Sequence, residues 1–119
     1  YQQALNLEND SRTMSKTFWL VLVDQLGMSY GISGNLDKAK EIYSAAILEE
    51  QEYPMFYYNL ACTYAESNDL DGAITNLSLA YKYKNNMLPN EEFPDPRTDS
   101  SFKRFLGDKK FTEMLSKIE

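Results

Sequence analysis

Displaced by 34 residues along its own length, the chain matches itself. Leu26 falls on Leu60, Tyr30 on Tyr64, Leu36 on Leu70, Asp37 on Asp71, Ala39 on Ala73 and Ala46 on Ala80. Gly27 falls on Ala61, an exchange of the two smallest side chains, and Ile47 falls on Tyr81. A unit of this size cannot bury its apolar face alone, so successive copies must stack on one another. Apolar positions recur at helical spacing, through Met14, Phe18, Val21, Leu22, Leu26 and Tyr30, then through Ala39, Ile42, Tyr43, Ala46 and Ile47. Small residues at Gly27, Ala39, Ala46, Ala61, Ala73 and Ala80 let paired helices approach closely, while Leu26, Tyr30, Leu60 and Tyr64 fill the space between hairpins. Ser33-Gly34-Asn35 and Ser67-Asn68-Asp69 read as tight turns, and Pro54 suits the first turn of a helix, where its missing N–H costs nothing. The expected fold is all-α, a solenoid of α-α hairpins.

The string Leu26, Gly27, Tyr30, Ala39, Tyr43, Ala46, repeated as Leu60, Ala61, Tyr64, Ala73, Leu77, Ala80, resembles the tetratricopeptide repeat. The departures are Leu77 in an aromatic slot and a proline at Pro54 rather than at Gln51. The resemblance covers roughly residues 20–87 and implies a right-handed superhelix. Residues 1–9, with Tyr1, Ala4, Leu5 and Leu7, read as the end of a preceding repeat's helix. Residues 10–53 form a repeat whose lengthened first helix is capped by Asp10 or Ser11, and residues 54–87 form the second repeat. Pro89, Pro94 and Pro96 mark 88–98 as a loop. Residues 99–119 are expected to form two C-terminal capping helices that shield the open end of the core. Asp99, Phe102, Phe105 and Leu106 belong to the first, and Asp108, Phe111, Met114, Leu115 and Ile118 to the second. The chain opens on Tyr1 rather than Met and reads as the C-terminal piece of a longer protein.

Composition removes most catalytic chemistries. The 119 residues include no histidine, so there is no imidazole base, no His-paired nucleophile and no usual zinc site. Cys62 is the single cysteine and cannot form an internal disulfide, which favours a cytoplasmic setting. Carboxylate pairs at Glu49/Glu50 and Glu91/Glu92 are adjacent and diverge on a helix, as solvated acidic residues do. Tyr53, Phe56, Tyr57, Tyr58, Tyr64, Tyr81 and Tyr83 are spaced as packing residues rather than as a base-stacking platform. The net charge of −6 divides into −8 over residues 1–96 (six basic, 14 acidic) and +2 over 97–119 (six basic, four acidic). An acidic body argues against nucleic acid, and no apolar run approaches the roughly 20 residues of a membrane helix. No enzyme, cofactor or metal is expected.

Proteins of the resembled family bind peptides or protein segments on a concave face lined by the first helix of each hairpin. That register selects Val21, Asp24, Met28 and Ile32 from the first repeat, and Met55, Tyr58, Asn59, Cys62 and Ala65 from the second. A subclass grips the C-terminal carboxylate of heat-shock 70 and 90 chaperones with a basic clamp. Here only Asn59 matches that clamp; Asp24 and Met28 hold its first-helix slots, and Pro89 and Phe93 its third-helix slots. Asp24 would repel a carboxylate, which excludes that mechanism.

Two roles follow: a non-catalytic module that binds a protein segment in the groove, or a structural, self-associating end-cap of a longer repeat protein. Both require the cap, because two hairpins fall short of the roughly three repeats a stable stack needs. Truncation after Asn86 should therefore abolish the cooperative thermal melt; a sharp two-state transition in the truncated chain would contradict this.

Overall fold

The structure, a computed structural model, describes residues 16–88 and 91–118. In chain order it contains α1 (Lys16–Ile32), α2 (Leu36–Glu49), α3 (Pro54–Glu66), α4 (Leu70–Lys82), the 3₁₀ turn η1 (Lys84–Asn86), the 3₁₀ helix η2 (Ser100–Phe105) and α5 (Lys109–Ile118). There is no strand among the described residues. Helices α1 and α2 form one hairpin, α3 and α4 the second, and α2 packs on α3 to stack them. The expected helix remnant over 1–9, the cap at Asp10 or Ser11 and Pro89 lie outside the described residues.

The two hairpin turns share one mechanism at the 34-residue offset. Gly34 has φ +87° and Asn68 φ +62°, so each supplies the left-handed step that ends a helix. Asn is among the few non-glycine residues that adopt that step readily. The residue that follows each caps the next helix: Asn35 accepts from the Lys38 N–H at 3.3 Å, and Asp69 from the Gly72 N–H at 2.9 Å. Pro54 opens α3 without any side-chain cap, as a residue that lacks the N–H needing one.

Close approach within the first hairpin centres on Gly27. A Cβ there would lie 2.3 Å from Tyr43 Cζ, because the phenol ring crosses the glycine and donates its hydroxyl to the Asp24 carbonyl at 3.1 Å. In the second hairpin the same two positions hold Ala61 and Leu77, both fully buried. The larger small residue there stands with the smaller large one, so the departure at Leu77 reads as a compensated exchange of volume.

The C-terminal segment closes the second hairpin. Phe102 and Phe111 are fully buried, their rings stacked at 5.7 Å, and Phe102 also meets Tyr58 edge-on at 5.8 Å. Residues 100–105 are 3₁₀ rather than α-helical. With three residues per turn, Phe102 and Phe105 eclipse and both enter the core, which leaves Leu106 exposed instead of on the apolar face expected for it. Asp108 accepts from the Phe111 N–H at 3.1 Å and starts α5.

Two glycines four residues apart in α1 separate packing from propensity. A Cβ at Gly31 meets nothing within 4 Å, unlike one at Gly27. Gly31→Ala should stabilise the chain by about 0.5–1 kcal/mol, through helix propensity alone. Gly27→Ala should destabilise it by about 1–3 kcal/mol despite the same propensity gain. Urea denaturation of both variants reads the opposite signs directly.

Candidate functional site: the concave face and its cleft

The face that the sequence register selects has two unequal parts. Over α3 it is covered by the chain's own residues 91–105. Tyr53 donates its hydroxyl to the Glu91 carboxylate, at 2.9 and 2.7 Å from its two oxygens, and the Leu88 N–H reaches the same group at 2.9 Å. Phe93 sits edge-on to both Tyr58, at 5.7 Å, and Tyr81, at 4.9 Å. Asp99 then accepts from the Tyr58 hydroxyl at 2.9 Å and the Ser101 N–H at 3.0 Å, with the Cys62 thiol at 3.8 Å. Pro94 lies in the irregular stretch 91–95 that crosses α3, and Pro96 opens the turn closed by the Thr98 N–H on the Asp95 carbonyl at 3.1 Å. Glu91 is thus a structural acceptor, not the solvated carboxylate its neighbour suggested, whereas Glu92 is exposed.

These contacts set the chemistry of the residues selected from the sequence. Tyr58 is 1% exposed, and burial pushes its hydroxyl's pKa well above that of an ordinary phenol. Burial, with Asp99 alongside, raises the Cys62 thiol likewise, so it stays protonated and unreactive. Asp24 and Asn59 meet across α1 and α3, the amide donating to the carboxylate. Burial pushes the Asp24 carboxyl up to about 7, opposed by the Asn59 hydrogen bond and reinforced by the nearby charge of Glu91. Met55 is half-buried among core residues, and Val21 lies exposed on α1.

Where α1 and α3 meet Asp99 and Ser101 of the covering segment lies a cleft of about 230 Å³. Met28, Asn59 and Cys62 line it; Val21, Asp24, Met55 and Tyr58 do not. Met28 is 46% and Ile32 84% exposed at its apolar edge. The rest of the lining, which includes Gly31, Glu66, Asp99 and Ser101, was not selected from the sequence. The helix-cap signal at Asp99 was visible, but nothing local tells that Asp99 and Ser101 come to rest against α3. The volume lies below the roughly 300–1,000 Å³ typical of small-molecule sites and suits a single long side chain. Among the described residues no group of three or more His, Cys, Asp or Glu could hold a metal ion, and no helix is long and apolar enough to cross a membrane.

Stacked helical hairpins with this register define a class of protein-interaction modules. Residues 23–53 and 56–87, together over half of the chain, match the tetratricopeptide repeat family, and the chain belongs to it. It is 32% identical over 75 residues to a probable UDP-N-acetylglucosamine–peptide N-acetylglucosaminyltransferase, SPINDLY, of Hordeum vulgare. The matched region is 63% of this chain but spans only 8% of that protein's length. No solved structure matches the chain.

The raised Asp24 carboxyl ties stability to pH. Between its ordinary value of 3.8 and about 7, the folded chain holds a proton that the unfolded chain has released. The favourable contribution is complete below about pH 4 and is lost as pH rises through 7. Asp24→Asn, which keeps a hydrogen-bonding partner for Asn59, should match the parent near pH 4 and exceed it near pH 8 by about 2–4 kcal/mol. Denaturant titrations at the two pH values measure the difference; equal stabilities at both would contradict it.

Proposed function

We propose that this chain is a non-catalytic protein-interaction module that seats a segment of a partner protein along α1, with one side chain in the cleft between α1 and α3. The observation that carries this reading is the contrast across the face that register selects. The part over α3 is covered by residues 91–105, yet Met28 and Ile32 stand exposed beside an open cleft. Large apolar side chains grouped at a concavity favour binding, because their burial on association removes apolar surface from water. Methionine adds a flexible, polarisable edge that adapts to irregular partners. Membership of the repeat family supports protein rather than metabolite as the ligand.

The test uses the two exposed positions, whose substitution leaves the core intact. Met28→Ser and Ile32→Ser, which remove apolar surface without adding charge, should melt within a few degrees of the parent. Each should lose roughly tenfold or more in affinity for a protein partner of the parent chain, measured by calorimetry. Unchanged affinity in both variants would show that partners bind elsewhere.

A further inference from the structure

We propose that the side chain received by the cleft is a basic one, an arginine or lysine of a partner segment. Its aliphatic stem would lie along Met28 and Ile32, and its charged head between Glu66 and Asp99. This rests on the cleft being the binding surface and adds the partner's chemistry.

Three observations converge. First, the lining is amphipathic in the order a basic side chain is: apolar along α1, anionic at the α3 end. Secondly, the two carboxylates are held together by one residue. The Ser101 hydroxyl donates to Glu66 at 3.3 Å and the Ser101 N–H donates to Asp99 at 3.0 Å, so both acids flank the same short segment. Among the described residues no lysine or arginine lines the cleft, Glu66 is the only charged residue of α3, and α1 holds only Lys16, at its far end, and Asp24. Glu66 and Asp99 are therefore the charged groups of the described lining, and both are acidic. Thirdly, Gly31 lies in α1 where a Cβ would meet nothing, so packing does not demand glycine at that position. A helix-interior glycine is unfavourable relative to alanine, and here its effect is to keep the cleft floor open. A neutral apolar segment would leave Glu66 and Asp99 partly desolvated without a counter-charge, and an acidic one would be repelled.

Fluorescence anisotropy with short synthetic peptides tests the assignment. All carry the same leucines, alternating with arginine in one peptide, glutamine in the second and glutamate in the third. The parent chain should bind the arginine peptide at least roughly tenfold more tightly than the glutamine one and show no binding of the glutamate one, with the preference shrinking as salt is raised. Glu66→Gln should weaken the arginine peptide several-fold and leave the glutamine peptide unchanged. Gly31→Leu should fill the cleft and abolish binding, while its melting temperature is unchanged or raised. Equal binding of arginine and glutamine peptides, failure to bind the arginine peptide, or full binding by Gly31→Leu each overturns the assignment. So would dimerisation in which one chain's 103–110 stretch cross-links to the cleft of another, since the occupant would then be a second copy. The broader reading is judged separately, by Met28→Ser and Ile32→Ser against a protein partner.

Discussion

The structure depends on close contact between paired helices, which small side chains at regular intervals permit. Ala39, Ala61, Ala65, Ala73 and Ala80 are completely buried, and Gly27 lies directly beneath the Tyr43 ring. At those positions a helix presents nearly bare backbone to its neighbour, so the interhelical space is filled by a few large residues reaching across. Tyr43, Phe56, Tyr58 and Leu77 perform that role, each 1% exposed or less. Because volume on one helix must match absence of volume on the other, the pairs can change together: Gly27 with Tyr43 becomes Ala61 with Leu77.

The same economy explains why the face that register selects is divided. The second hairpin's aromatic surface, with Tyr58 and Tyr81 on α3 and α4, is larger than a two-hairpin stack can bury. Phe93, Phe102 and Phe111 of the C-terminal segment complete it. Polar atoms that this covering would strand are paired as they are enclosed: the Tyr53 hydroxyl with Glu91 and the Tyr58 hydroxyl with Asp99. What remains open is the α1 side, where no chain segment among the described residues lies over Met28 and Ile32.

Much of the fold was legible in the residues. Both turns and the first-turn role of Pro54 are local effects, decided by neighbours in the chain; the left-handed steps at Gly34 and Asn68 and the caps at Asn35 and Asp69 are what the structure adds to them. The candidate site was less so. Helical register relates Asn59 to Cys62 within α3, because that is a property of a single helix, but that Met28 of α1 lines the same cleft is decided between helices. It could not tell that Tyr58, on the same face, would be roofed by Phe93 and Phe102, nor that Glu91 would differ from Glu92. Those outcomes turn on where the C-terminal segment comes to rest some 35–45 residues away from α3.

By itself, then, the sequence determined the repeat, the hairpin geometry, the alanine-and-aromatic packing scheme and the lack of imidazole chemistry, since periodicity and composition act within or between adjacent units. Only the tertiary structure decided which part of the face selected by register stays open. It did so through contacts between α3 and the C-terminal segment that no spacing rule encodes. The same contacts bring Glu66 and Asp99 together at Ser101, and burial between α1 and α3 turns Asp24 from an ordinary carboxylate into a group that titrates near neutrality. Desolvation and through-space charge depend on distance in three dimensions, which a linear pattern does not carry.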